Sequence, residues 1–119
     1  MNKVFFIELG MGADLHGQSV TKAAERAVHN AMYHNSLPGI RELLPDGDPQ
    51  HMKVRVRLAV PRAAESLDEE RIRALIPYGE VTVEVVSGGM ITSSGVVVPE
   101  KGDRSDEIVI VNAAVEVGI

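Results

Sequence analysis

The 119-residue chain has no cysteine and no tryptophan, and only four aromatic side chains: Phe5, Phe6, Tyr33 and Tyr78. Without cysteine there is no disulfide framework, Fe–S cluster, thiolate zinc site or thiol nucleophile. With so few aromatics there is no platform on which single-stranded nucleic acid could stack. Positive charge is also in deficit, with 12 Lys+Arg against 17 Asp+Glu and a net charge of −5. Duplex binders need a basic stripe, so no nucleic acid is expected as a partner. No apolar run approaches the ~18 residues of a membrane span, so no membrane partner is expected either. The first residues resemble a signal peptide only superficially. Glu8 interrupts their apolar run and no small-residue cleavage site follows, which favours a cytoplasmic first strand.

What is present is aliphatic. Hydrophobic residues make up 45% of the chain, and 17 of them are valine. The length suits one α/β domain spanning 1–119, with a core built from small branched side chains. Such a modest core is a reason to expect further burial in a homo-oligomer.

Residues 4–9 form an apolar run, polar only at Glu8, as in a strand in the middle of a sheet. A glycine-rich loop over 10–17 follows. From 19 to 34 the apolar residues Ala24, Ala27, Val28, Ala31 and Met32 fall on one helical stripe. Residues 52–60 alternate, with Met52, Val54, Val56, Leu58 and Val60 on one face and Lys53, Arg55 and Arg57 on the other. Ser66 and Glu69 read as a capping box opening a second helix. A third strand is expected over 80–86, a short fourth over 95–99 and a fifth over 107–117. The order β-α-β-α-β-β-β predicts a single mixed sheet with right-handed crossovers and two helices packed on one face. The other face would carry Arg55 and Arg57 beside Glu80 and Glu84, either solvated or forming a subunit contact.

Open α/β sheets bind ligands beyond the carboxyl ends of their parallel strands. Three loops are expected to meet there, over 10–17, 61–66 and 87–95. They would bring Glu8, Gly10, Gly12, Asp14, His16, Arg62, Ser87, Gly88, Gly89, Thr92, Ser93 and Ser94 to one side. The glycine loop is not a dinucleotide fingerprint, because Leu15 stands where the third glycine is required, and no Gly-Lys-Ser/Thr occurs. Its amides remain able to cradle a carboxylate or phosphate, or simply to make a tight turn. Glu8 is costly to bury unpaired, so it is either a proton-transfer group or a structural anchor. Ser93 and Ser94 offer a nucleophile, with His16 or Lys22 as the base and the amides near Gly88 and Gly89 as oxyanion donors. The alternative is a hydroxyl-lined turn. No histidine motif has metal-ligand spacing, so neither a metal nor another cofactor is expected.

The stretches Phe-Phe-Ile-Glu-Leu-Gly-Met-Gly-Ala-Asp-Leu-His-Gly-Gln, Thr-Lys-Ala-Ala-Glu-Arg-Ala-Val-His-Asn-Ala and Asn-Ser-Leu-Pro-Gly-Ile resemble an uncharacterised family of conserved hypothetical proteins first named from a Listeria protein. The likeness runs from about Lys3 to Gly118 and implies no activity. The element order resembles the Bacillus-type chorismate mutase architecture, whose members form trimers with sites between subunits. Val86-Ser87-Gly88-Gly89-Met90 after a strand is similar to one repeat of the cyanuric acid hydrolase and barbiturase family, which opens cyclic amides with serine–lysine pairs. That resemblance implies Ser93 or Ser94 as nucleophile with Lys22 supplied from the first helix. Two functions are therefore expected to compete: a ring-forming binder of a small polar or anionic metabolite that hydrolyses a cyclic amide, and a non-catalytic binding or assembly protein.

Overall fold

The computed structural model describes Met1–Ile119. Strand β1 covers Val4–Asp14 and helix α1 covers Val20–Met32. A single helical turn, α2, covers Ile40–Leu43, and strand β2 covers Lys53–Val60. Helix α3 (Glu69–Arg73) precedes β3 (Glu80–Ser87) and β4 (Met90–Ser93), and β5 (Glu107–Gly118) completes the sheet. The strand order is β1-β5-β2-β3, with β4 joined to β5. β5 runs antiparallel to β1, β2 and β4, while β2 and β3 are parallel. It follows that β1, β2 and β3 all point the same way and end at one edge. β2 and β4 lie in line along the same side of β5, one against residues 112–118 and the other against 107–110. The result is elongated, 52 × 25 × 19 Å.

Both helices pack on one face, α1 over β1 and β5 and α3 over β3 and against α1. The core is small-sided: Ala23, Ala24, Ala27, Val28 and Ala31 from α1 meet Val54, Val56, Leu58, Val111 and Val115 from the sheet. Each fully buried valine or leucine contributes about 1.5–3 kcal/mol.

Four sequence expectations change. First, β1 does not stop at Leu9. It continues through Gly10 and Gly12 to Asp14, so only residues 15–18 form the loop. Those two glycines lie directly beneath α1, and a Cβ at either would come well under 3.0 Å from the helix backbone at Ala27. They permit a close helix–strand approach and do not open a loop. Second, β1 is an edge strand, not a central one. Its two apolar faces reflect one side buried by α1 and one side left open, with Ile7 60%, Leu9 72% and Met11 52% exposed. Third, the fourth strand is Met90–Ser93. The valines at 96–98 lie in the following loop, where Ser94 Oγ takes the Val96 amide and Asp103 takes the Val98 amide. The capping box is also displaced. Ser66 ends a short 3-10 turn, and Asp68 caps α3 by accepting from the Arg71 amide.

The charged residues of the open face pair within the chain. Lys53 reaches Glu80 at 2.6 Å, Arg57 reaches Glu84 at 3.3 Å, and Arg55 and Arg57 both grip Glu116, which is buried beneath them. Three cations thus offset three carboxylates across β2, β3 and β5.

Candidate functional site

The carboxyl ends of β1 and β2 and the start of β5 meet at one edge of the sheet. The loop after β1 is tied to the segment before β5 by two side chains. Buried Asp103 accepts from His16 Nδ1 at 2.8 Å, the Gly17 amide at 2.8 Å, Gln18 Nε2 at 3.0 Å and the Val98 amide at 2.9 Å. The hydrogen bond from His16 is the largest influence, followed by that from Val98, and together with Gly17 and Gln18 they hold its carboxyl well below the ordinary range. Gln18 completes the clasp. Its Nε2 also donates to the Ser105 and Glu107 carbonyls, and its Oε1 accepts the Arg104 amide at 3.0 Å.

Beside this clasp lies a cleft of about 400 Å³, lined by Gln18, Arg62, Ser66, Arg104, Ser105 and Glu107. Arg62 leans on Glu107 at 3.0 Å, whereas the Arg104 guanidinium has no ion-pair partner. Two non-glycine residues in the chain have left-handed backbones, Gln18 at φ +56° and Ala63 at φ +51°, and both line this cleft. Such conformations cost about 1–2 kcal/mol each in a non-glycine residue. They persist where surrounding structure enforces them, most often at functional sites.

The expected site residues are distributed differently. Asp14 is buried, accepting the Ser19 amide at 2.7 Å and Arg26 at 3.1 Å, so it anchors the start of α1. The loop amides foreseen as an anion cradle are therefore satisfied by the chain's own carboxylates: Gly17 by Asp103 and Ser19 by Asp14. Gly10 and Gly12 are covered by α1 and offer nothing to a ligand. Ser87 ends β3 opposite Val60. Gly88 and Gly89 carry the chain past Ala59 to reach β5, where side chains would collide with Ala59 and the Ile110 carbonyl. Ser93 Oγ donates to Asp106 at 3.2 Å, and Ser94 Oγ to the Val96 and Asp106 carbonyls, both at 3.1 Å.

Neither proton handler reaches these serines. Lys22 lies with Asp14, His16 and Arg26 in a hollow beside α1 that receives no residue from 87–95. Glu8 pairs with Val115 and Ser93 with Glu107, eight positions apart along β5, which is roughly 27 Å. Of the foreseen residues only Arg62 lines the cleft. Gln18, Arg104 and Ser105 were not singled out by sequence, and Ser66 was read only as a helix cap. Asp103 and Gln18 meet across 85 residues of chain, and no local pattern marks such a pair.

No functionally curated protein matches the sequence. Among solved structures, the chain is similar to an FtsZ-like protein of unknown function from Nostoc punctiforme PCC 73102, determined by crystallography. The two are 46% identical, with a TM-score of 0.87, over 97% of this chain and 93% of that one. The family model for conserved hypothetical proteins designated Lin0512_fam matches residues 4–117. The resemblance read from the first strand, its glycines and the following helix is thereby confirmed, and this chain belongs to the Lin0512_fam family of conserved hypothetical proteins.

Proposed function

We propose that the protein is an oligomeric, non-catalytic binder of a small anionic metabolite carrying a carboxylate or phosphate group. The observation that carries this reading is the cleft outside β2, where Arg62, paired with Glu107, and the unpaired Arg104 stand beside Gln18, Ser66 and Ser105, with the strained backbones of Gln18 and Ala63 in its lining. Guanidinium groups bind carboxylate and phosphate in bidentate fashion, and Gln18, Ser66 and Ser105 supply directional contacts. Ligands of open α/β sheets lie at this edge. Geometry favours binding over hydrolysis of a cyclic amide. Ser93 and Ser94 are engaged by Asp106 and a carbonyl, and neither Lys22 nor Glu8 is positioned to take a proton from them.

The oligomeric part of the proposal rests on the open sheet face. Ile7, Leu9, Met11 and Met90 are each more than half exposed there and flank Ile110 and Ala114. Together they present a contiguous apolar patch on one face of the sheet, the kind of exposed patch that often marks an interaction surface. The adjoining charges are neutralised internally, so a second copy of the chain meets an apolar band beside a balanced polar rim.

Thermal-shift measurements with inorganic phosphate, malonate and succinate test the binding site. At least one anion is expected to raise the Tm, and the double variant Arg62→Ala/Arg104→Ala is expected to lose the response. A response preserved in the double variant would refute the assignment.

A further inference from the structure

A second cavity lies at the opposite end of the sheet and has the opposite character. Helix α1 ends at Met32, and its last turns cover Gly10 but stop short of Glu8. The Glu8 side chain, on the helix-covered face of β1, consequently opens into a pocket of about 150 Å³. Its walls include Met32, Leu37, Met52, Ile76 and Tyr78, and eight of its eleven lining residues are hydrophobic. Glu8 is the one charged group in the lining. Glu8 is part-buried and takes part in none of the chain's ion pairs, whereas the fully buried carboxylates Asp14, Asp103 and Glu116 all have partners. Its carboxylate therefore faces apolar walls with no internal cation competing for it, and a cationic group entering the pocket can pair with it.

We infer that this pocket is a binding site for a small amine: a compact apolar body carrying one primary ammonium group that pairs with Glu8. The size of the pocket sets the scale, since an apolar cavity near 150 Å³ holds a molecule about as large as benzene. The chemistry sets the class, because the walls exclude a polyanion or a sugar and the carboxylate selects a cationic donor. This site is separate from the arginine cleft. It faces the amino-terminal end of β2, near Val54, whereas Arg62 follows the strand's carboxyl end.

The test uses three near-isosteric probes, benzylamine, benzyl alcohol and benzoate, titrated into the protein and followed by NMR. Benzylamine is expected to shift the resonances of Leu37, Ile76 and Tyr78 and to bind at least tenfold more tightly than benzyl alcohol. Benzoate is expected to leave those resonances unmoved. In Glu8→Gln the preference for the amine over the alcohol should disappear. The comparison of probes on the unaltered protein decides the matter even if that variant folds poorly. Equal binding of amine and alcohol, shifts located elsewhere, or no shift with benzylamine would overturn the inference. Benzylamine binding unchanged in Arg62→Ala/Arg104→Ala would show that the two sites stand or fall separately, whereas its loss in that variant would overturn the inference.

Discussion

At the scale of single residues, Asp103 joins parts of the chain that no local signal connects. Its carboxyl is held below its ordinary value of 3.8 by hydrogen bonds from His16 and the Val98 and Gly17 amides. The unfolded chain therefore binds a proton there more readily than the folded one, and folding is favoured above the ordinary value. This contribution is expected to be complete at neutral pH and to be lost as the pH falls below about 4. In Asp103→Asn, acid unfolding curves should lose part of their steepness, and the Tm at neutral pH should fall. Identical acid limbs in the two proteins would contradict the assignment. Gly12 makes a different demand. Gly12→Ala forces a methyl group into the backbone of α1, so thermal melts should show a loss of about 1–3 kcal/mol or more. The sequence made these glycines conspicuous but did not reveal their purpose. A glycine that turns the chain and a glycine that admits a helix look alike until the helix is placed.

At the scale of elements, the periodicities of α1, β2 and β3 were legible because one buried face imposes them. Val54, Val56, Leu58 and Val60 are buried in β2 just as their alternation implied. Periodicity reports faces, however, and not neighbours. The apolar residues of β1 on both faces looked central, yet the strand lies at an edge with Ile7, Leu9 and Met11 exposed. The valines at 96–98 looked like a strand, but the ladder partner on β5 was claimed by Met90–Ser93. If the open face joins copies of the chain, Leu9→Lys should preserve the circular dichroism spectrum while reducing the molar mass measured by light scattering to that of one 12.8 kDa chain. A wild-type protein that is itself monomeric at high concentration would contradict the oligomer.

At the scale of the whole molecule, a 52 Å long fold carries two chemically opposite recesses at opposite ends of its sheet. The common direction of β1, β2 and β3 was readable from their crossovers, and it placed Arg62 beyond the carboxyl end of β2, where it lines the cleft. The rest of the cleft was not readable. Arg104, Ser105 and Gln18 converge only because Asp103 and Gln18 bind segments more than 80 residues apart. Glu8 was conspicuous as an acidic group in an apolar strand, but it lies mid-strand and apart from the 87–95 segment, because β1 runs on to Asp14. The test closest to the central claim is calorimetric titration of malonate and inorganic phosphate into the native protein and into Arg104→Ala. Arg104 is chosen because its guanidinium has no internal ion pair to lose. The account predicts saturable binding of at least one of these anions to the native protein and at least a tenfold weaker affinity in the variant, with the fold unchanged. Equal affinities, or no binding of either anion to the native protein, would contradict it.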